Sequence, residues 1–472
     1  MYDTLIAPDG TKFVPVLAES WKTSPDGKVY TFTLRKDVQF HSGKKMTSKD
    51  VKWSFERLAN PKTASPWSGL VSSIEKVETP DDYTVVLQLK APDRLLLSML
   101  AQPGASILNQ EAVEKAGKEY GRTVVDGTGP FKLVSRKFNE EIVYERFANY
   151  KWGPSIYQNK GPARVKRLIW KVTPELQARQ LMMEAGEIDT ITHHIDPSLL
   201  LKKDSLKGKA DITTRPVTHT RAVTINVTYP KLTDVAVRRA IAHAVPSKSI
   251  AETIYAPVGS RALNLLHPTV FGYFKGIESL TPAYDLEKAK KTLDDAGWKL
   301  NANGVRQKGN VILDGIPVMG LPQYEPIAVL IQENLGKIGI KAKVEMLERG
   351  KLYPMRRTGD VPIEVTNTTG VPDRLYHYLH SATVGGSNLF FWKDAETDKK
   401  IATFLSDPDE NKALQAAYDL QKLAVVDQCM FIPIYWIDEI NEVNTRTVHD
   451  FVGSTWVNSG IGKLLDAWST RK

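Results

Sequence analysis

Residues 327–346 read IAVLIQENLGKIGIKAKVEM, and two periodicities meet inside this stretch. Ile327, Leu330, Ile331 and Leu335 recur at helical spacing. After Gly339, the residues Ile340, Ala342, Val344 and Met346 alternate with Lys341, Lys343 and Glu345, as in a half-buried strand. A helix that turns on glycine straight into a strand is the unit of a mixed or parallel sheet, so this stretch sets the fold class as α/β.

The same grammar extends outward. In the helix predicted after Asp234, Val237, Ala240, Ile241 and Ala244 form one apolar face and Pro246 closes it. A helix capped by Asp285 runs through Leu286, Ala289 and Leu293 to Gly297. Thr173-Pro174 predicts an N-cap and first helical position, Gly186 the stop, and Ile188-Asp189-Thr190-Ile191 a following strand. The first 130 residues read instead as hairpins with one inserted helix. Ser24-Pro25-Asp26-Gly27 is a turn before the alternating strand Val29 to Leu34. Thr47 and Asp50 form a capping-box pattern, Val51, Phe55 and Leu58 an apolar face, and Asn60-Pro61 an end. A second hairpin turns at Pro80-Asp81-Asp82 and returns along Tyr83 to Leu87.

With 472 residues the chain exceeds a single compact core, so two or three domains are expected. Lys and Arg number 63 against 54 Asp and Glu, a net charge of +9. The bases are interleaved with acids and no run of five or six like charges occurs, which gives no nucleic-acid stripe. Cys429 is the one cysteine, so thiolate metal clusters and an internal disulfide are excluded. No segment has the apolar length of a membrane helix. The opening Met1-Tyr2-Asp3-Thr4-Leu5 lacks a basic and apolar leader, so the chain is expected to be either a processed form or cytoplasmic.

Motifs for catalysis are wanting. No Gly-Lys pair is followed by Ser or Thr, no Gly-x-Ser-x-Gly elbow occurs, and no His is followed by Glu. Asp-Gly-Thr-Gly-Pro at 126–130 lacks dinucleotide spacing and reads as a turn before the strand starting at Phe131. Adjacent His193 and His194 on a strand would point to opposite faces, so they read as loop or pocket histidines and not as a joint metal site. No catalytic residue, metal or cofactor is expected.

In order along the chain, several blocks resemble the family 5 extracellular solute-binding proteins. They include Leu17-Ala18-Glu19-Ser20-Trp21, Tyr30-Thr31-Phe32-Thr33-Leu34-Arg35, Val38-Gln39-Phe40-His41-Ser42-Gly43, Gly127-Thr128-Gly129-Pro130-Phe131, Val237-Arg238-Arg239-Ala240-Ile241 and Ile338-Gly339-Ile340. The family commonly has Asp where Ser42 stands, and another strand before Tyr2, so the chain is expected to be shortened at its front. The resemblance implies a two-lobed, periplasmic-binding-protein-like clamshell (type II, class C) with an additional α/β domain. Residues 1–19, 131–222 and 441–472 would form lobe I, 20–130 the additional domain and 223–440 lobe II, with hinges near Val223 and Glu442. It further implies a monomeric, periplasmic or extracytoplasmic binder that is not an enzyme. The partners would be a peptide or other small-molecule ligand and an ABC permease, with no nucleic acid.

Peptide binders of this family hold the ligand's ammonium with an acid just before a Pro or Asp-Pro run. Here that stretch is Asn367-Thr368-Thr369-Gly370-Val371-Pro372-Asp373, without the expected acid. Asn367, Thr368 and Thr369 would supply neutral hydrogen bonds. Asp373 is the nearby carboxylate, or else a cap for the helix from Arg374. Arg349, Arg356 and Arg357 lie where the family places a carboxylate-holding arginine. Asn388 resembles a pocket-edge Asn, though it equally suits a turn. Tyr2, Asp3 and His194 are the candidates on the first lobe. The ligand is expected to be a short peptide or amino-acid derivative. The alternatives are an opine, sugar conjugate or metal chelate, or a degenerate member acting as a sensor or chaperone partner.

Overall fold

The turn at Ser24–Gly27 joins the first two strands of a four-stranded sheet in the N-terminal region of the computed structural model. The structure describes residues 1–9, 12–63, 65, 67–194, 207–255, 259–450 and 466–470. Strands β1 (Ala18–Thr23) and β2 (Val29–Leu34) form the hairpin. Helix α1 (Ser48–Ala59) follows, with the Thr47–Asp50 capping box present and Asn60 at its end. Strands β3 (Ile74–Asp81) and β4 (Thr84–Leu89) complete a four-stranded sheet in the order β1-β2-β4-β3. Tyr30, Phe32 and Leu34 are buried, as their alternation predicts, so the strand's apolar face is its core face.

Asp-Gly-Thr-Gly-Pro at 126–130 is a structural turn. The Asp126 carboxylate accepts from the Ser42 amide (2.9 Å), the Ser42 hydroxyl (2.7 Å) and the Asn109 carboxamide (2.6 Å). Lys44 donates to both Asn109 (3.2 Å) and Asp50 (2.9 Å), which joins the turn to the cap of α1. A Cβ at Gly127 would lie 2.1 Å from the Met1 carbonyl oxygen, so a side chain there would displace the Met1–Tyr2 backbone. Sequence gave Ser42 as a departure from the family's Asp; in the structure Asp126 supplies a carboxylate to that hairpin.

Strands β5 (Phe131–Lys137), β6 (Glu141–Arg146) and β7 (Arg167–Lys171) make a three-stranded sheet. Helix α2 (Leu176–Ala185) begins later than Thr173-Pro174 predicts, with Glu175 at the N-cap position. The first helical amide bond is Arg179 to the Glu175 carbonyl, and the Arg179 guanidinium takes the Pro174 carbonyl. Gly186 ends the helix as expected, and β8 (Thr190–His194) follows.

Strand β9 (Asp211–Ile225) leads into α3 (Val235–Ala244), capped by Asp234, and α4 (Leu286–Asp295), capped by Asp285. Next come β10 (Ile316–Gly320), α5 (Glu325–Lys337), β11 (Ala342–Met346), α6 (Arg349–Thr358), β12 (Ile363–Thr369), α7 (Arg374–Leu379) and β13 (Phe431–Val443). Strand order there is β13-β9-β12-β10-β11, with β10 parallel to both β11 and β12 and β9 antiparallel to β12. Val237, Ala240, Ile241 and Ala244 pack fully buried against Ile327, Ile331, Leu335, Val318 and Ile363. Each Ile or Leu so enclosed contributes about 1.5–3 kcal/mol.

The described residues divide into two compact units. Unit 1 holds those of 1–194, 207–215 and 440–470, and unit 2 those of 216–439. Strands β9 and β13 each run through a boundary, at 215/216 and at 439/440. Within unit 1, β8 pairs with the last residues of β13, Thr190 opposite Val443 and His194 opposite Ile440.

Candidate functional site

In unit 2, β9 and β12 bring His219 opposite Thr369, Thr220 opposite Thr368 and Arg221 opposite Asn367. Where β12 ends, the Gly370 amide donates to the Thr218 carbonyl (2.5 Å) and its carbonyl accepts from the His267 amide (2.8 Å). A Cβ on residue 370 would meet the His267 nitrogen at 2.7 Å, so glycine lets residues 265–267 cross the strand end. His267 in turn packs edge-on against Trp436 of β13, ring centroids 5.5 Å apart, and Tyr273 packs on the same indole at 6.1 Å. Burial pushes the His267 imidazole down to about 4, so it is neutral.

Around this strand end lie Thr218 Oγ1, Thr220 Oγ1, Asn367 Oδ1, Asp373 Oδ1 and Trp436 Nε1, each buried without a hydrogen-bond partner among the described residues. An unsatisfied buried polar atom costs about 1–3 kcal/mol, and folded proteins keep few. The set holds acceptors (Asn367, Asp373), a donor (Trp436) and hydroxyls that can do either. The register sets Thr218 and Thr220 on one face of the sheet and Asn367, with His219, on the other, so a ligand at the Asn367 face meets acceptors and the Trp436 donor and not the two threonine hydroxyls.

Asp373 is 6% exposed and sits at the N-cap position of α7, yet its side chain caps no amide. Its carboxylate lies 3.7 Å from Arg374 Nε and 3.9 Å from His377 Nε2. Burial keeps His377 below the ordinary histidine range, against the pull of Asp373. Arg374 Nε donates to the Thr369 hydroxyl at 2.6 Å. Burial works against the Arg374 charge, but neighbouring Asp373 holds its pKa above the ordinary value. Thr368 donates to the Thr220 carbonyl (3.3 Å), and the Asn367 carboxamide meets the His219 ring at 3.3 Å.

The remaining candidates are placed differently. Arg356 on α6 forms a forked ion pair with Glu364 of β12 (Nε to Oε2 2.8 Å), reaches the Thr366 hydroxyl at 3.2 Å and lies 4.4 Å over the Tyr353 ring. Arg349 and Arg357 are exposed. Asn388 is buried and donates to the carbonyls of His380 (3.2 Å) and Trp392 (2.9 Å), which ties a turn. In unit 1, Asp3 accepts from the Trp152 indole (3.0 Å), and burial raises its carboxyl pKa. Burial and the adjacent Tyr120 likewise raise the Tyr2 phenol. The His194 side chain lies outside the described residues. A cavity of about 1170 Å³ in unit 1, bordered by Arg164, Arg167, Trp170 and Thr190, is lined by none of the candidates.

Thr218, Thr220, His267, Arg374 and Trp436 were not signalled by sequence. Trp436 lies in the apolar run from Phe431 to Ile437 and reads as core; the threonines read as an ordinary alternating strand.

A mixed α/β chain with this strand order, two compact units and a polar, part-satisfied strand end is of the solute-binding class. Comparison with known proteins gives the family. The sequence profile of the bacterial extracellular solute-binding proteins, family 5 Middle, matches residues 12–388. The dipeptide-binding protein of Escherichia coli (strain K12) is 29% identical over 449 residues, covering 89% of this chain and 80% of that protein. Heme-binding protein A of Haemophilus influenzae is 30% identical over 457 residues, covering 90% and 79%. The crystal structure of NikA from Brucella suis in complex with Fe(III)-EDTA superposes with a TM-score of 0.84 at 25% identity, covering 100% of this chain and 94% of that one. The chain therefore belongs to the family 5 extracellular solute-binding proteins, the substrate-binding components of ABC importers, and has their two-lobed fold. Members of this family bind small-molecule or peptide ligands, work with ABC permeases and are extracellular or periplasmic. They are binding proteins, not enzymes.

Proposed function

We propose that this protein captures a short peptide or a related small solute at the end of β9 and β12 and delivers it unaltered to an ABC permease. One observation carries this reading: buried polar atoms of Asn367, Asp373 and Trp436, drawn from two strands and a helix start, lack partners in one region of unit 2. Amide N–H and C=O groups of a peptide complement such a set. Asn367, Thr369 and Asp373 are its ligand-facing residues, and Thr368, paired with Thr220, belongs to the other face of the sheet.

The protein acts as a monomer in the periplasm or another extracytoplasmic space, without nucleic acid and without chemical turnover. Residues 20–130 form an additional domain within unit 1, a division supported by their own four-stranded sheet and α1. A second reading draws on Thr369 and its neighbours. No acid stands on 367–372 to receive an ammonium, which favours a non-peptide solute such as an opine, sugar conjugate or metal chelate.

Thermal-shift measurements separate the two, because a ligand specific for the native state raises its melting temperature. Stabilisation by dipeptides to pentapeptides supports the first reading. Stabilisation by opines or chelates, with no response to peptides, replaces it with the second. Mass spectrometry of the bound compound before and after incubation tests the absence of turnover.

A further inference from the structure

Three arginines on α6 stand where a carboxylate-holding residue is expected, and the structure leaves none of them well placed. The guanidinium fork of Arg356 is spent on Glu364, which is 2% exposed and accepts both of its bonds inside the sheet layer. Arg349 and Arg357 are exposed side chains, at opposite ends of the helix. A carboxylate bound by an exposed cation gains little, because water screens the charge.

We propose instead that Arg374 holds a carboxylate of the ligand in unit 2. Its guanidinium is fixed before any ligand arrives. Nε donates to the Thr369 hydroxyl at 2.6 Å, the Asp373 carboxylate stands at 3.7 Å on the same edge, and the Tyr378 ring lies 5.7 Å from the guanidinium carbon. The two terminal nitrogens carry no hydrogen bond among the described residues, although the side chain is only 23% exposed. A planar cation with one edge anchored and the other edge unused suits bidentate recognition of a planar oxyanion.

The neighbours fit the same chemistry. Thr369 sits across from His219 at the strand end, and Asp373 and Asn367 flank it with hydrogen-bond acceptors lacking donors. Asp373 also offsets the charge of a buried Arg374, which makes the cation tolerable in the ligand-free protein. The ligand class is thus a monocarboxylate-bearing solute whose N–H groups face Asn367 and Asp373. This inference rests on the reading of unit 2 as the capture site.

Isothermal calorimetry on the full chain tests it with L-alanyl-L-alanine and its C-terminal amide. Wild type is expected to prefer the acid by about 10- to 100-fold, the worth of one charge-assisted pair. Arg374→Gln should erase that preference, and Arg374→Lys should keep part of it, since lysine retains charge without the fork. Thr369→Val, which removes only the anchor of Nε, should cost several-fold. Arg349→Gln and Arg357→Gln should leave the preference unchanged. Melting curves without ligand show which variants fold, and Arg374→Lys and Thr369→Val keep the buried charge pair. An undiminished preference for the acid in Arg374→Gln overturns the assignment while leaving capture intact. Should neither compound bind wild type, the short-peptide reading fails, and the solute that co-purifies is compared before and after methyl esterification. Loss of binding on esterification in wild type but not in Arg374→Gln then supports Arg374; equal binding of both forms overturns it.

Discussion

The buried polar cluster of unit 1 around Asp126 and that of unit 2 around Gly370 are made from similar residues: carboxylate, carboxamide, hydroxyl and histidine or lysine. In unit 1 the Asp126 carboxylate takes three hydrogen bonds, Asn109 both gives and receives, and Lys44 links the Asn109 carboxamide to the Asp50 carboxylate. In unit 2 the carboxylate of Asp373 has ion-pair neighbours only, and the Asn367 carboxamide oxygen has no donor. A satisfied network stiffens a fold; an unsatisfied one is kept at a cost in stability and can be repaid on binding. That difference separates architecture from site without any reference to residue type.

The largest break is expected in unit 1. Asp126→Ala strands Ser42 and Asn109 and should destabilise the protein by ~3–5 kcal/mol, lowering the melting temperature by roughly 10 °C. The affinity of the remaining folded protein for solute should be unchanged, as calorimetry would show.

Acid comes next. His41 in unit 1 donates from Nε2 to the Gly129 carbonyl (2.9 Å), while its Nδ1 faces the Gly127 amide (3.4 Å). Burial brings its pKa down to about 4, against the opposing hydrogen bond to the Gly129 carbonyl, as burial does for His267. Both are neutral when folded and protonate near 6.5 when unfolded. Their contribution is therefore complete above about pH 6.5 and is lost as pH falls toward 4, by at most ~3 kcal/mol each. The slope of melting temperature against pH between 7 and 5 should be shallower in His41→Gln.

Gly370→Ala should act on the site with a smaller effect on the fold. Displacing residues 265–267 is expected to cost ~1–2 kcal/mol in stability and about tenfold in solute affinity. The smallest effect is the most telling. Thr220→Val removes an unsatisfied hydroxyl at nearly constant volume, so the ligand-free protein should be unchanged or more stable by up to ~1 kcal/mol. Its melting-temperature gain with saturating solute should match wild type, because Thr220 lies on the sheet face away from Asn367. A smaller gain would place the solute on the Thr220 face instead.

Much of the fold was legible because local signals agree with the tertiary outcome. Val29–Leu34 is a strand with the expected buried face, and Thr47, Asp234 and Asp285 stand at the helix starts they mark. Thr173-Pro174 misled: the Pro174 carbonyl is taken by the guanidinium of Arg179, from the helix's own first turn, and α2 starts at Leu176. The site was legible only along its own segment. Asn367, Thr369 and Asp373 come together because they are close in sequence, while the strand's alternation turns Thr368 to the other face. Trp436, His267 and the Thr218 carbonyl join them through strand order and through one glycine contact, which no local pattern encodes. Arg356 looked available because sequence displays a guanidinium without showing that the sheet sets Glu364 beneath it.

The indole N–H of Trp436 offers the most direct test that unit 2 holds the solute. Among ten tryptophans, its ¹⁵N–¹H resonance can be assigned by comparison with Trp436→Phe. On saturation with the solute recovered from the purified protein, that resonance should move downfield and its exchange with water should slow, as a new acceptor reaches Nε1. A resonance unmoved at saturation, with exchange unaltered, would contradict the account.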